Sequence, residues 1–252
     1  MFKAERLDAI LEEVALEGRV TTTALAKRFG VSEDSIRKDL QGLGAQGKLQ
    51  RVYGGAVSID TEQPSRTVTS RLDCHRTQKL EIAQKAYDLI EDGQTIFLDI
   101  SSTNLFLADL LAQGDKRVIV ISNMLDVVKK VAAGRNIEAQ CPGGKVNLEL
   151  SGFVGASTAR MLGKLRFDIS FLGTLEMNIE EDCASTFDME DGTIKQTVLE
   201  NSRRSYLVAD SHKFNKRGEY RYARLSDFTG IITDGEDAAH RQAAAALDIE
   251  VI

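Results

Sequence analysis

Residues 22–43 read TTALAKRFGVSEDSIRKDLQGL, an order that fits two short helices joined by a tight turn. Ala26 is small enough for the helices to cross closely. Gly30 falls four residues later, where the first helix must stop and the chain must turn, often at positive φ. Ser32 supplies an N-cap for the second helix, with Glu33 and Asp34 in its first turn, where the helix dipole favours negative charge. Ile36, Leu40 and Leu43 recur at i, i+4 and i+7 and give that helix an inward face. Opposite them lie Asp34, Ser35, Arg37, Lys38 and Gln41, all able to hydrogen-bond. A helix-turn-helix has this layout, its second helix lying in the major groove with N-terminal side chains at base edges. An ordinary helical hairpin with a solvated charged face shares the spacing. The next residues favour the first reading: 48–57, KLQRVYGGAV, form a short β-hairpin, a basic wing carrying Arg51 and Tyr53. The candidate DNA-contacting residues are Ser32, Asp34, Ser35, Arg37, Lys38, Gln41, Arg51 and Tyr53.

Upstream, Leu7, Ile10, Leu11 and Val14 mark a helix over 3–17, with Gly18 as its stop. Residues 20–23 read as a connector, with Thr22 or Thr23 capping the next helix. This completes a small N-terminal domain over 1–57. The net charge of the 252 residues is −6, which by itself disfavours a nucleic-acid binder. Residues 1–56, however, carry nine basic against eight acidic side chains, and the remainder 23 against 30. An acidic body with a basic head suits a DNA-binding module attached to something else.

Residues 58–77 lose apolar periodicity around Pro64 and read as a linker, with room for a strand at its centre. From Lys79 a new rhythm begins: helix 79–93, strand 95–98, helix 105–111, strand 118–121, helix 125–133, strand 137–139. Helix 156–162, strand 168–172, helix 192–200, strand 205–209, strand 230–233, helix 237–245 and strand 249–252 follow. Alternating strands and helices imply an α/β domain over 78–252 with a mostly parallel sheet covered on both faces.

In such sheets ligands sit beyond the carboxyl ends of the strands. The first strand runs into Asp99, Ile100, Ser101, Ser102, Thr103 and Asn104 at a helix start, a phosphate cradle or plain N-capping. Other strand ends bring Asn123, Gly144 with Lys145, Gly173, and Asp210 with Lys213. Their convergence on one sheet edge suggests a polar pocket for a small anionic, hydroxylated ligand, and a phosphorylated sugar fits.

No apolar run approaches the roughly 20 residues needed to span a bilayer, and the start resembles neither a signal nor a transit peptide. A cytoplasmic protein without membrane contact is expected. Cys74, Cys141 and Cys183 are odd in number and far apart, which fits reduced thiols. His75, His212 and His240 are scattered, so no metal site is expected, and no cofactor.

The chain resembles the DeoR family of bacterial transcriptional regulators of sugar metabolism. VSEDSIRKDL (31–40) is similar to the family's V-S-x-x-T-I-R-R-D-L, and RVYGGA (51–56) to its R-x-H-G-G-A. In the body KLEIAQKA (79–86), TIFLD (95–99), ISN (121–123), PGGK (142–145), DISFLG (168–173), IK (194–195), ADSHKF (209–214) and ITD (232–234) fall in the family's order. The resemblance implies a winged helix-turn-helix joined to a sensor domain related to sugar-phosphate isomerases. It further implies a repressor that answers to a phosphorylated sugar, acting on an operator in double-stranded DNA as a homo-oligomer, dimer or tetramer. Lys195 and Lys213 would line the pocket, and 99–104 would cradle the phosphate. Ser35 stands where the family has threonine, Lys38 where it has a second arginine, Tyr53 where it has histidine, and Ser101 where its cradle has glycine. Lysine keeps charge but loses bidentate geometry, so Lys38 suits a phosphate better than a base.

The competing class is a sugar-phosphate isomerase with a DNA-binding head. Isomerisation needs a carboxylate base and an electrophile. Thr174-Leu175-Glu176 follows Gly173 without the aspartates of the resembling isomerases, which leaves Glu176, Asp188 and Asp191 as possible bases. No catalytic residue is expected.

Overall fold

The computed structural model describes residues 3–17, 19–57, 67–72, 74–214, 218–235 and 244–252. Contacts divide the chain into two units, Met1–Ser65 with Asp73–His75, and Arg66–Leu72 with Arg76–Ile252.

The smaller unit runs α1 (Lys3–Glu17), β1 (Arg19–Thr21), α2 (Thr22–Phe29), α3 (Glu33–Ala45), β2 (Gln50–Val52), β3 (Gly55–Val57). Gly30 takes φ 65° and its N–H closes α2 on the Ala26 carbonyl. Ser32 caps α3, its Oγ accepting from the Ser35 N–H at 3.3 Å. Leu25, Ile36, Leu40 and Leu43 are buried with Ile10, Val14, Leu49 and Ala56 in one core. The expected connector is instead a strand. β1 pairs antiparallel with β3, which also pairs with β2, and the extended backbone moves the α2 cap to Thr21, which accepts from the Ala24 N–H at 3.2 Å. The β1–β3 approach leaves no room for a side chain at Gly55, whose Cβ would stand 1.9 Å from the Val20 carbonyl oxygen. Gly18 lies outside the described residues.

The larger unit begins with α4 (Val68–Leu72), a helix where a strand was allowed for, and α5 (Arg76–Asp88). Then come β4 (Thr95–Leu98), α6 (Ser102–Gln113), β5 (Val118–Ser122), α7 (Leu125–Val131) and β6 (Ile137–Gln140). β7 (Lys145–Asn147), β8 (Gly152–Val154), α8 (Ala156–Leu162), β9 (Phe167–Gly173), β10 (Glu176–Asn178) and β11 (Cys183–Thr186) follow. The chain continues with α9 (Met189–Glu200), β12 (Ser202–Val208), β13 (Tyr220–Ala223), β14 (Gly230–Ile232) and β15 (Glu250–Val251). The expected helix 237–245 lies, through residue 243, outside the described residues. The hairpin β7–β8 and the antiparallel sheet β10-β11-β13 are additions to the sequence reading.

Seven strands form the main sheet in the order β15-β14-β12-β9-β4-β5-β6, every pairing parallel. Ile96, Phe97 and Leu98 on β4 and Ile169, Phe171 and Leu172 on β9 are all buried, as in strands covered on both faces. From β4 the chain steps outward to β5 and β6, then returns to the other side of β4 with β9. The reversal opens a crevice beyond the carboxyl ends of β4 and β9, where open α/β sheets bind ligands.

Candidate functional site

Asp99, the residue after β4, stands in that crevice with its side chain almost wholly buried. Its Oδ2 accepts from the Gly173 N–H at 2.8 Å and from Lys195 Nζ. Its Oδ1 accepts from Asn104 Nδ2 at 2.7 Å, and that amide also donates to the Phe171 carbonyl at 2.9 Å. One carboxylate thus ties the ends of β4 and β9 to the start of α6 and to α9.

Asp188 caps α9 by accepting from the Asp191 N–H at 3.0 Å, which sets the register of the helix. Asp191 and Lys195 then share a face at i, i+4, 3.6 Å apart. Thr186 Oγ1 donates to Asp191 Oδ2 at 2.5 Å, and Tyr222 OH donates to the Gly173 carbonyl at 3.2 Å. Arg71 of α4 rests its guanidinium 5.2 Å from the Phe187 ring centre. The cleft encloses about 300 Å³, its open mouth included, between Arg71, Ser101, Gly173, Thr174, Thr186, Phe187, Asp191, Lys195 and apolar Ile100, Leu150 and Leu175.

Burial opposes the charge on Lys195, but Asp191 and Asp99 outweigh it and hold the ammonium above the ordinary lysine value. Burial pushes the Asp99 carboxyl up against the pull of Lys195. It likewise raises the Tyr222 phenol well above its usual value, with Asp99 adding to the effect, so that hydroxyl stays a neutral donor. The site therefore holds oriented N–H and O–H donors around a buried carboxylate at the strand ends, where burial makes electrostatic contacts stronger than in water.

Of the residues expected to bind ligand, Ser101, Gly173 and Lys195 line the cleft, and buried Asp99 and Asn104 are joined to them through the Gly173 N–H, Lys195 Nζ and each other. Ser101 acts as the N-cap of α6, its Oγ accepting from the Thr103 N–H at 3.2 Å. Its side chain occupies the space beside Gly173, where an added Cβ would lie 2.7 Å from Ser101 Cβ. Ser102 and Thr103 are buried in the first turn of α6. Asn123 is buried and donates to the Phe153 carbonyl at 3.0 Å. Gly144 adjoins Lys145, which is exposed and pairs with Glu190 at 2.9 Å. Asp210 is buried and accepts from the His212 N–H at 3.2 Å, and Lys213 ends the same short turn. None of Asn123, Gly144, Lys145, Asp210 and Lys213 lines the cleft.

Arg71, Thr186, Phe187 and Tyr222 were missed by sequence reasoning, and Asp191 was considered only as a base. The D-x-x-D start of α9, followed by lysine four residues on, was the available signal for Asp191. Arg71 and Tyr222 arrive from distant elements, and nothing local marks them.

In the smaller unit Ser32, Asp34, Arg37, Lys38, Gln41, Arg51 and Tyr53 are exposed and Ser35 is partly so. Arg37 reaches Asp34 at 3.0 Å and Glu33 at 3.1 Å along α3. Tyr53 projects fully from the wing turn. Asp39, on the same helix, points the other way and is buried against Arg6 Nε at 2.7 Å.

The sequence profile of the DeoR-like helix-turn-helix domain matches residues 6–62, and that of the DeoR C terminal sensor domain matches residues 74–235. The lactose phosphotransferase system repressor of Lactococcus lactis is 29% identical over 94% of this chain and 92% of its own length. The HTH-type transcriptional repressor GlcR of Bacillus subtilis is 30% identical over 93% of this chain and 89% of its own. Among solved structures, a ribose 5-phosphate isomerase A from Methanocaldococcus jannaschii aligns at 20% identity over 56% of each chain, with a TM-score of 0.41. With both profiles matched in order and its relatives similar almost end to end, the chain belongs to the DeoR family of transcriptional regulators.

Proposed function

We propose that this regulator represses a sugar-metabolism operon and is released from its operator by a phosphorylated sugar held at the carboxyl ends of β4 and β9. Residues 1–57 read DNA and 78–252 sense, and of the stretch 58–77 expected to join them, α4 and the start of α5 belong with the larger unit. Arg37, Lys38, Gln41 and Ser35 face the major groove, with Asp34 and Ser32 at the helix start, and Arg51 and Tyr53 approach from the wing. Asp99, Ser101, Asn104, Gly173 and Lys195 hold the effector. The observation that carries the reading is a polar cleft at the topological switch of the sheet in a chain that also presents an exposed reading helix. A dimer or tetramer sets two reading helices one helical turn apart, or a multiple of it. The effector loosens DNA only to the extent that it binds two conformations differently.

Catalysis has no part in this reading. Glu176 accepts from the Gly218 N–H at 2.7 Å, Asp188 caps α9, and Asp191 is shared between Thr186 and Lys195. The decisive experiment is a thermal-shift screen of the full chain against hexose and pentose monophosphates. Fluorescence anisotropy on a duplex selected from a random pool accompanies it. A selective rise in melting temperature with a fall in DNA affinity is expected. No shift with any sugar phosphate overturns the effector, and conversion of one supports the isomerase alternative.

A further inference from the structure

We propose that the outer edge of β7 joins two copies of this chain, Val146 of each pairing with Val146 of the other across a two-fold axis. The inference rests on the reading that two chains act together on an operator, and it names the surface that holds their larger units.

β7 and β8 pair in the register Lys145↔Val154, Val146↔Phe153, Asn147↔Gly152. Both backbone groups of Phe153 turn away from β7: its N–H donates to the Asn123 carbonyl at 2.8 Å, and its carbonyl accepts from Asn123 Nδ2 at 3.0 Å. Val146–Phe153 is therefore a non-hydrogen-bonded pair of the antiparallel ladder, and the N–H and C=O of Val146 point the opposite way, out from the edge. Among the described residues β7 pairs with β8 alone. Alternation puts Val146 on the face opposite Lys145 and Asn147. Lys145 turns toward α9, where it meets Glu190 at 2.9 Å, so Val146 and Phe153 share the outer face. Val146 is 45% exposed, and Leu148 in the hairpin turn is 88% exposed, the highest value for a large apolar side chain among the described residues of the larger unit. An apolar edge of this kind is a template for another strand.

The occupant that fits is a second copy. An N–H and a C=O on one residue are met by the same two groups of an identical strand running the other way, so a two-fold axis through Val146 closes two reciprocal hydrogen bonds. That axis sets Phe153, Val146 and their counterparts in one apolar row across four strands. It brings Leu148 opposite Gly144 of the second copy, where no side chain stands. Lys145 comes diagonal to Glu149 of the second copy, within reach of a long side chain. Glu149 is exposed, so the basic start of each edge lies beside the acidic end of the other, and the two are complementary in charge. Lys145 keeps Glu190 in this arrangement, since an ammonium has three donors.

Sedimentation velocity of the full chain over a dilution series measures the association, with hydrogen exchange at the Val146 amide as a second readout. Each contact is made twice across the axis, so a single exchange counts double. Leu148→Lys, at a largely exposed turn position, should raise the dissociation constant at least tenfold. Val146→Pro, which removes the outward N–H without touching the β7–β8 ladder, should do the same. The Val146 amide should exchange slowly in the concentrated wild-type chain, fast on dilution, and fast at both concentrations in Leu148→Lys. Wild-type association in both variants, or fast exchange of that amide in the assembled wild-type chain, overturns the proposal and leaves the paired reading heads intact. A wild-type chain that stays monomeric at every concentration, with and without DNA, overturns both. If Val146→Pro does not fold, Leu148→Lys and the exchange of the Val146 amide decide.

Discussion

The reading helix and the sensor cleft are built from the same kinds of side chain in opposite settings. On α3 the Arg37, Glu33 and Asp34 side chains are 56%, 42% and 81% exposed. In the cleft Lys195, Asp99 and Asp191 are 2%, 1% and 5% exposed. A solvent-facing pair along a helix contributes only about 0.3–0.5 kcal/mol, so Arg37 can leave its partners at little cost. A buried pair deprived of one member leaves an uncompensated charge and loses about 3–5 kcal/mol. The head thus holds charges that can be exchanged, and the body holds charges that fix geometry. The Arg6–Asp39 pair brings the second kind into the head, where it orients α3 from behind without entering the reading face.

The sharpest way to break this contrast is to remove the fixed cation. Lys195→Met should destabilise the larger unit by about 3–5 kcal/mol, read as a lowered urea midpoint. The double variant Asp99→Asn/Lys195→Met should recover a good part of that, because the amide oxygen can still accept from the Gly173 N–H and the carboxylate left in the cluster, Asp191, keeps Thr186 as a partner. A single variant within about 1 kcal/mol of wild type would mean that the cluster is as dispensable as a surface pair.

The same division explains what could be read from sequence. The helix-turn-helix is local: Gly30, Ser32 and the Ile36, Leu40, Leu43 spacing each act within one turn, and all lie where expected. The parallel sheet was legible because β4, β5, β9, β12 and β14 are short apolar runs between helical stretches. The antiparallel strands β10, β11 and β13 were not, since β11 pairs with β13 across more than thirty residues and none has a strong apolar pattern. α4 sits in a polar segment, and the bond that seats its start, from the Val68 N–H to the Glu149 carbonyl, is long-range. In the cleft, Asp99 and Lys195 were found through strand ends and resemblance. The switch between β4 and β9, which makes Asp99 and Gly173 neighbours, depends on strand order, and that has no local signature.

A middle-sized effect tests whether strand-end geometry is as tightly specified as the buried charges suggest. Gly173→Ala places a methyl group 2.7 Å from Ser101 Cβ, and overpacking of this kind costs about 1–3 kcal/mol. Ser101→Gly in the same chain, which restores the glycine of the family's cradle, should relieve most of the loss. A double variant no more stable than Gly173→Ala would show that the two positions are not coupled through contact. The pair would then not be the exchange of small for large that the packing indicates.

The smallest effect belongs to the head. Glu33→Gln keeps the side-chain oxygen that accepts from Thr23 Oγ1 at 2.9 Å and removes the charge facing Arg37. Two small terms are lost, the exposed ion pair and the favourable placement of a carboxylate in the first turn of α3. Chemical denaturation should therefore register about 0.5 kcal/mol or less. DNA binding should move the other way. With one negative charge gone from the reading face and Arg37 less restrained, operator affinity at low salt should rise about two- to threefold, and the gain should shrink as salt screens the phosphates. A stability loss above about 1 kcal/mol, or weaker binding at every salt concentration, would place Glu33 and Arg37 with the fixed charges. The reading helix and the cleft would then cease to be opposites.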